Sequence, residues 1–257
     1  MVIKKIHYCW FGGNTHSDII KKCIRSWKKE CPDYEIIEWN ENNFDIYCCK
    51  YAEEAYCNKK WAFVSDYARF KILYENGGIY VDTDVELIKN IDNLPESFVG
   101  FESNKLVASG LIRGAEIGDV ICKAMLDSYE SDRFVFDDGS LNMKTVCERE
   151  TEIFQKHGLK LNGKLQTVAG TTVFPTEYFC PKDFLTGVLN ITENTYSIHH
   201  YDSSWYSEED KFTFSIRKKI QKILPSKISR IIARVIAIIK FRGFKAVVQE
   251  TAKRLNK

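Results

Sequence analysis

The first forty residues constrain the fold more than any other part of the chain. Ile3–Trp10 is an apolar run of strand character, broken by Gly12-Gly13-Asn14. Ser17–Glu30 then sets Ile19, Ile20, Cys23, Ile24 and Trp27 at helical spacing, and Pro32-Asp33 stops it. Tyr34–Trp39 alternates as a second strand. A strand, a crossover helix and a second strand in that order point to parallel pairing, so the sequence predicts an α/β domain with a mixed, mainly parallel sheet.

The pattern continues with predicted helices at Tyr51–Lys60 and Ala62–Glu75, the second capped by Asn76-Gly77-Gly78 and leading directly into a strand at Ile79–Val85. Further strands are expected at Phe98–Phe101, Val173–Pro175 and Tyr196–His200, and a helix at Gly118–Tyr129. Residues 130–165 are less regular, and the sequence places no element there. Of the 257 residues, 44% are hydrophobic, enough for a sizeable core and too many for a disordered or disulfide-stapled chain.

Charge divides the chain. The net charge is +2, but residues 211–257 carry fourteen Lys or Arg against the single acid Glu250, a net +13, which leaves −11 for residues 1–210. We therefore expect an acidic body at 1–210 and a basic helical tail at 211–257 that meets an anionic surface. In the tail, Lys227, Arg230 and Arg234 recur at helical spacing among Ile228, Ile231, Ile232, Val235, Ile236 and Ile239. That composition suits an interfacial helix or a packed hairpin better than a nucleic-acid-binding arm. The N-terminus has no signal-peptide pattern, and no apolar stretch reaches the ~20 residues needed to span a bilayer. Nine cysteines without a C-x-x-C pair suit reduced core thiols, so the expected location is cytoplasmic, peripheral on the inner face of the cell membrane.

Four short motifs bear chemistry. Asp82-Thr83-Asp84 follows Gly77-Gly78-Ile79-Tyr80-Val81, and a strand would turn both carboxylates to one face. Paired hard oxygen ligands suit Mg²⁺ or Mn²⁺ shared with phosphate oxygens, although a solvated strand end has the same pattern. In Ser65-Asp66-Tyr67-Ala68-Arg69, Asp66 and Arg69 share a helical face, either as a surface ion pair or as partners for a sugar hydroxyl and a phosphate. Trp10-Phe11-Gly12-Gly13 closes the first strand, where an aromatic face can stack on a nucleobase and glycines admit a ligand to the backbone. His199-His200-Tyr201-Asp202-Ser203-Ser204-Trp205 offers an imidazole, only one of the two adjacent histidines facing any given site.

Together, I-H-Y-C-W-F-G-G, W-A-F-V-S-D-Y-A-R, G-G-I-Y-V-D-T-D and H-H-Y-D-S-S-W, in that order over about residues 3–206, resemble glycosyltransferase family 32. That family includes capsular-polysaccharide and mannosyl transferases and is similar to the catalytic domain of the large clostridial glucosylating toxins. The resemblance implies a GT-A fold and metal-dependent, retaining transfer from a nucleotide diphosphate sugar. UDP-sugar is favoured, with GDP-mannose as the other donor. By position, Trp10 with Phe11 and Gly12 would hold the base. Ser65, Asp66, Arg69 and Asp82 would contact the ribose and sugar, and Ser204 and Trp205 the diphosphate. Asp84 and His200, with Asp82, would hold the metal. The implied catalytic set is Asp84, Asp82 and Arg69, and the implied acceptor is a lipid-linked (polyprenyl-linked) glycan in surface-polysaccharide synthesis. Asp202-Ser203 departs from the small residue that relatives often carry before Ser-Trp. A metal-dependent sugar nucleotidyltransferase and an inactive glycan-binding module are the competing readings.

Overall fold

A computed structural model describes residues 3–184, 186–202, 208–221 and 223–247. In chain order its elements are β1 (Lys5–Cys9), α1 (Asp18–Glu30), β2 (Glu35–Trp39), α2 (Lys50–Cys57), α3 (Trp61–Asn76), β3 (Gly78–Tyr80), β4 (Val85–Leu87), β5 (Phe98–Ser103), β6 (Leu106–Ala108) and β7 (Arg113–Ala115). They continue with α4 (Val120–Glu130), α5 (Val146–Lys156), β8 (Gln166–Val168), β9 (Thr171–Phe174), α6 (Thr176–Phe179), β10 (Ser197–His199), α7 (Glu208–Ile220) and α8 (Ser226–Arg242).

The opening unit is as the sequence predicts. β1 pairs in parallel with β2, Lys5 opposite Glu35 through Cys9 opposite Trp39, and with β3, Ile6 opposite Ile79. The main sheet runs β2-β1-β3-β7-β5-β9-β8, with β6 on β5. Following the pairings, β1, β2, β3, β5 and β9 run one way while β6, β7 and β8 run the other. This is a mixed, mainly parallel sheet. A separate two-stranded sheet pairs β4 with β10.

Alternation along the strands divides the apolar side chains between two clusters. One gathers Phe44, Tyr51, Phe63, Phe70, Tyr80, Phe101, Phe134 and Phe154. The other gathers Ile6, Tyr8, Trp27, Ile79, Val85, Phe98 and Phe179. Trp27 of α1 donates its indole N–H to the Val85 carbonyl at 2.7 Å, tying α1 to β4.

Two expectations change. The strand predicted at Ile79–Val85 ends at Tyr80, and the chain turns before resuming as β4 in the second sheet. Residues 130–165 hold α5, opened by a capping box in which Thr145 and Glu148 bond to each other's backbone N–H. That T-x-x-E signal stands in the sequence, masked by the mixed polar composition around it.

The chain separates into two compact units, residues 1–182 with 190–201 and residues 183–189 with 202–257. In the second, α7 and α8 form a helical hairpin: Glu209 at the start of α7 accepts from Arg242 at the end of α8 (2.7 Å), and Phe212 meets Phe241 edge-on. The structural division thus precedes the change of charge near residue 211.

Candidate active site

Strands that share a direction end at a shared edge of the sheet, and ligands of open α/β sheets collect there. At this edge β1 runs out into Trp10, β3 into Asp82 and Asp84, and β5 ends with Glu102-Ser103. Asp82 and Asp84 do not lie along one strand. They flank a turn closed by the Val85 N–H on the Asp82 carbonyl (3.1 Å), so the turn rather than strand alternation presents the carboxylates.

Asp66 and Arg69 do share a face of α3, but the pair is buried, not a surface ion pair. Arg69 Nη2 lies 2.8 Å from Asp66 Oδ1 and 3.3 Å from Asp82 Oδ1, and the Arg69 side chain is only 4% exposed. Its Nε donates to the Ser65 carbonyl, and the Tyr80 ring lies 4.9 Å from the guanidinium carbon. The Tyr80 hydroxyl donates to Asp82 Oδ1 at 3.1 Å. Burial pushes Asp66 up to about 7 against the pull of Arg69. Asp82 is also raised by burial; Arg69 opposes that shift and the Asp84 charge adds to it. One cation thus serves two carboxylates whose charge is under-compensated. Arg69 Nη1 is buried and makes no hydrogen bond.

The imidazole at Asp84 belongs to His199, not to His200. The β4–β10 ladder sets His199 opposite Val85, which brings its Nε2 to 3.2 Å from Asp84 Oδ1. His200 faces the other way, its Nε2 2.7 Å from Glu86 Oε2, which Lys22 also meets at 2.6 Å. His200 reaches the loop through its backbone N–H on the Asp84 carbonyl. The sequence expectation preferred His200 on motif spacing; here it is His199 whose imidazole lies beside Asp84. Burial lowers the His199 pKa, but the nearby Asp84, Asp82 and Glu102 charges outweigh it, and the net shift is upward. Sequence reasoning passed over Glu102, which no motif marks. Burial raises its pKa, and it shares its field with His199 and Asp82.

The remaining predicted residues divide. Trp10 is half-buried beside the edge, with its indole N–H on the Asn14 carbonyl and its ring edge-on to His16 at 4.7 Å. Phe11 instead packs into the core against Phe44 at 5.9 Å, so its ring is not available to a base. Gly12 adopts φ +90°, donates its N–H to Glu41, and leaves no room for a Cβ beside Trp61. The Ser65 hydroxyl is bonded back to the Trp61 carbonyl. Ser204 and Trp205 lie outside the described residues.

A divalent cation fits here only as a shared guest. Among the described residues no three His, Cys, Asp or Glu side chains gather closely enough to hold one. Asp84 and His199 offer an oxygen and a nitrogen facing each other. Mg²⁺ and Mn²⁺ commonly take one or two side chains and complete their shell from water and substrate phosphates.

Residues 17–99 match the family model described as "Glycosyltransferase sugar-binding region containing DXD motif", a span that takes in Asp66, Arg69, Asp82 and Asp84. That span, about a third of the chain, is similar to a DXD-containing glycosyltransferase region. No curated protein matches the chain. Among solved structures, one titled "PaToxG Glycosyltransferase" is similar at 21% identity and a TM-score of 0.46, covering 60% of this chain and 69% of that one.

Proposed function

We propose that this chain is a metal-dependent, retaining glycosyltransferase of the GT-A type. It would move a hexose or N-acetylhexosamine from a nucleotide diphosphate sugar, UDP-sugar favoured, to a lipid-linked glycan in capsule, O-antigen or other surface-polysaccharide synthesis. The observation that carries the reading is the Asp66–Arg69–Asp82 cluster, set beside the Asp84–His199 pair within the region that matches the DXD family model.

In this reading Trp10 stacks on the base at the end of β1. The Asp66 and Asp82 carboxylates accept from sugar or ribose hydroxyls, while Arg69 fixes both acids. Asp84 and His199 would hold Mn²⁺ or Mg²⁺, which when bound offsets charge on the departing diphosphate. The acceptor oxygen bonds to the anomeric carbon on the face from which the sugar–phosphate bond breaks, and the acceptor proton passes to the leaving phosphate oxygen. That front-face course needs no carboxylate nucleophile.

The second unit supports a membrane role. Ile228, Ile231, Ile236 and Ile239 are exposed along α8, as is Arg230, whereas Arg234 is ion-paired to Glu209. The Lys227 side chain lies outside the described ones. No helix among the described residues is long and apolar enough to cross a membrane. Basic residues near an anionic leaflet contribute about 1 kcal/mol each, and buried isoleucines add to that.

Incubation with UDP- and GDP-sugars and Mn²⁺ tests the enzyme reading: release of a nucleoside diphosphate supports it, and release of pyrophosphate from a sugar phosphate and a nucleoside triphosphate overturns it. Sedimentation with anionic vesicles, weakened by salt and by Ile231→Glu, tests the membrane reading.

A further inference from the structure

The loop between β6 and β7 lies against the first aspartate. The Asp82 N–H donates to the Gly110 carbonyl at 3.0 Å. A Cβ at Gly110 would overlap Asp82 Oδ2 and stand 2.9 Å from Arg69 Nη1. Gly110 does not have a positive φ, so backbone strain does not explain the glycine here. Close approach does.

The same loop is tied from behind. The Ser109 N–H donates to Glu150 Oε2 of α5 at 2.8 Å, and the preceding strand is held by the Val107 N–H on Thr151 Oγ1 at 3.0 Å. Glu150 is fully buried and its other oxygen pairs with Arg113 at 3.2 Å. A continuous path therefore runs from Glu150 through the backbone of Ser109 and Gly110 to Asp82, ending beside the buried, unbonded Arg69 Nη1.

We propose that Gly110, anchored by Glu150 through Ser109, is a positioning element. Its bare backbone is the floor that lets the Asp82 carboxylate lie flat on Arg69, from where the carboxylate, 30% exposed, can meet a donor-sugar hydroxyl. The functional half of this inference rests on the glycosyltransferase reading; the geometric half does not. The hard overlap is with Asp82 Oδ2, the end of a short side chain that can swing away, and Arg69 Nη1 at 2.9 Å needs only a small shift, so the cost in stability should be small. The effect of a Cβ should therefore fall on the position of the carboxylate and spare the fold.

The experiment compares the full chain with Gly110→Ala by thermal unfolding, crystal structure and Mn²⁺-supported hydrolysis of UDP-sugars. Expected are a melting temperature within about 2 °C of the parent, loss of the Asp82–Arg69 contact, and turnover lower by about tenfold or more, since small misplacements at a reacting centre are that costly. An Asp82 carboxylate still seated on Arg69 in Gly110→Ala overturns the inference, as does wild-type turnover in a folded variant.

If the parent hydrolyses no nucleotide sugar, the functional reading fails while the crystal structures still decide the geometry. Should Gly110→Ala not fold, Glu150→Gln set against Asp119→Asn decides. Both weaken the Arg113 cluster, but only Glu150 touches the loop. An equal effect of the two on turnover overturns the inference, and a selective loss in Glu150→Gln supports it.

Discussion

Arg69 and Arg113 are both buried between two carboxylates, and their surroundings separate chemistry from architecture. Arg113 is sealed: its side chain is 0% exposed, with Asp119 at 2.9 Å, Glu150 at 3.2 Å, and the rings of Phe70 and Phe154 near the guanidinium. Both acids have further work. Asp119 caps α4 through the Cys122 N–H and accepts from Ser97, while Glu150 accepts from Ser109. Each arginine has one nitrogen without a partner, Nε in Arg113 and Nη1 in Arg69. The Arg69 cluster, however, opens through Asp82, whose side chain is 30% exposed, onto the end of β3. A sealed cluster reaches a ligand only through the backbone it holds, as Glu150 does through Ser109, whereas an open one has charge left for a ligand.

The largest effect should come from breaking the sealed cluster. Arg113→Met leaves two buried acids without their cation and should cost about 3–5 kcal/mol in urea unfolding, the usual penalty for removing one partner of a buried pair. A loss below about 1 kcal/mol would erase the distinction between the two clusters.

On the open side, Asp84→Asn keeps shape and removes a charge. It should lower turnover about a hundredfold or more, as expected for one preorganised electrostatic contact, with little change in urea midpoint. EDTA should do the same to the parent and Mn²⁺ should reverse it. Full turnover in EDTA would remove the metal from the mechanism.

Trp10→Ala sharpens the comparison at the rim of the open site. UDP affinity by calorimetry should fall by ~1–3 kcal/mol, the range for stacking on a base. Unchanged affinity in a folded variant would move the base elsewhere.

The smallest effect lies in the sealed interior. His7 Nδ1 accepts from the Trp39 indole at 3.1 Å and Nε2 donates to the Gly77 carbonyl at 3.0 Å, and burial lowers its pKa from 6.5 to about 4. The folded protein therefore binds fewer protons than the unfolded chain between those values. Stability should fall as pH drops below 6.5, by about 1 kcal/mol near pH 5.5. His7→Gln should flatten that slope in urea titrations, and an unchanged slope would assign it to another group.

Much of this was legible in the chain itself. The spacing in Ser17–Glu30 and the flanking apolar runs marked the parallel start of the sheet. The i,i+3 relation of Asp66 and Arg69 placed them on one face, and the Gly77-Gly78 cap placed Asp82 and Asp84 just beyond it. What local pattern could not carry was partnership over long separations. His199 and His200 are adjacent, and only the register of β10 on β4, more than a hundred residues earlier, decides which one meets Asp84. Phe11 has the same look as Trp10 in sequence, yet it belongs to the core because Phe44 waits for it there.

Residue types and short-range spacing thus determined which elements form and which charges they carry, since those depend on backbone propensity and on neighbours within a helical turn or a strand. The tertiary structure alone decided burial and pairing. It made Asp66–Arg69 a buried pair by bringing Asp82 and Tyr80 onto it, and it gave Gly110 a role that no motif marks. Both depend on distances between segments that the chain brings together only after the sheet has closed.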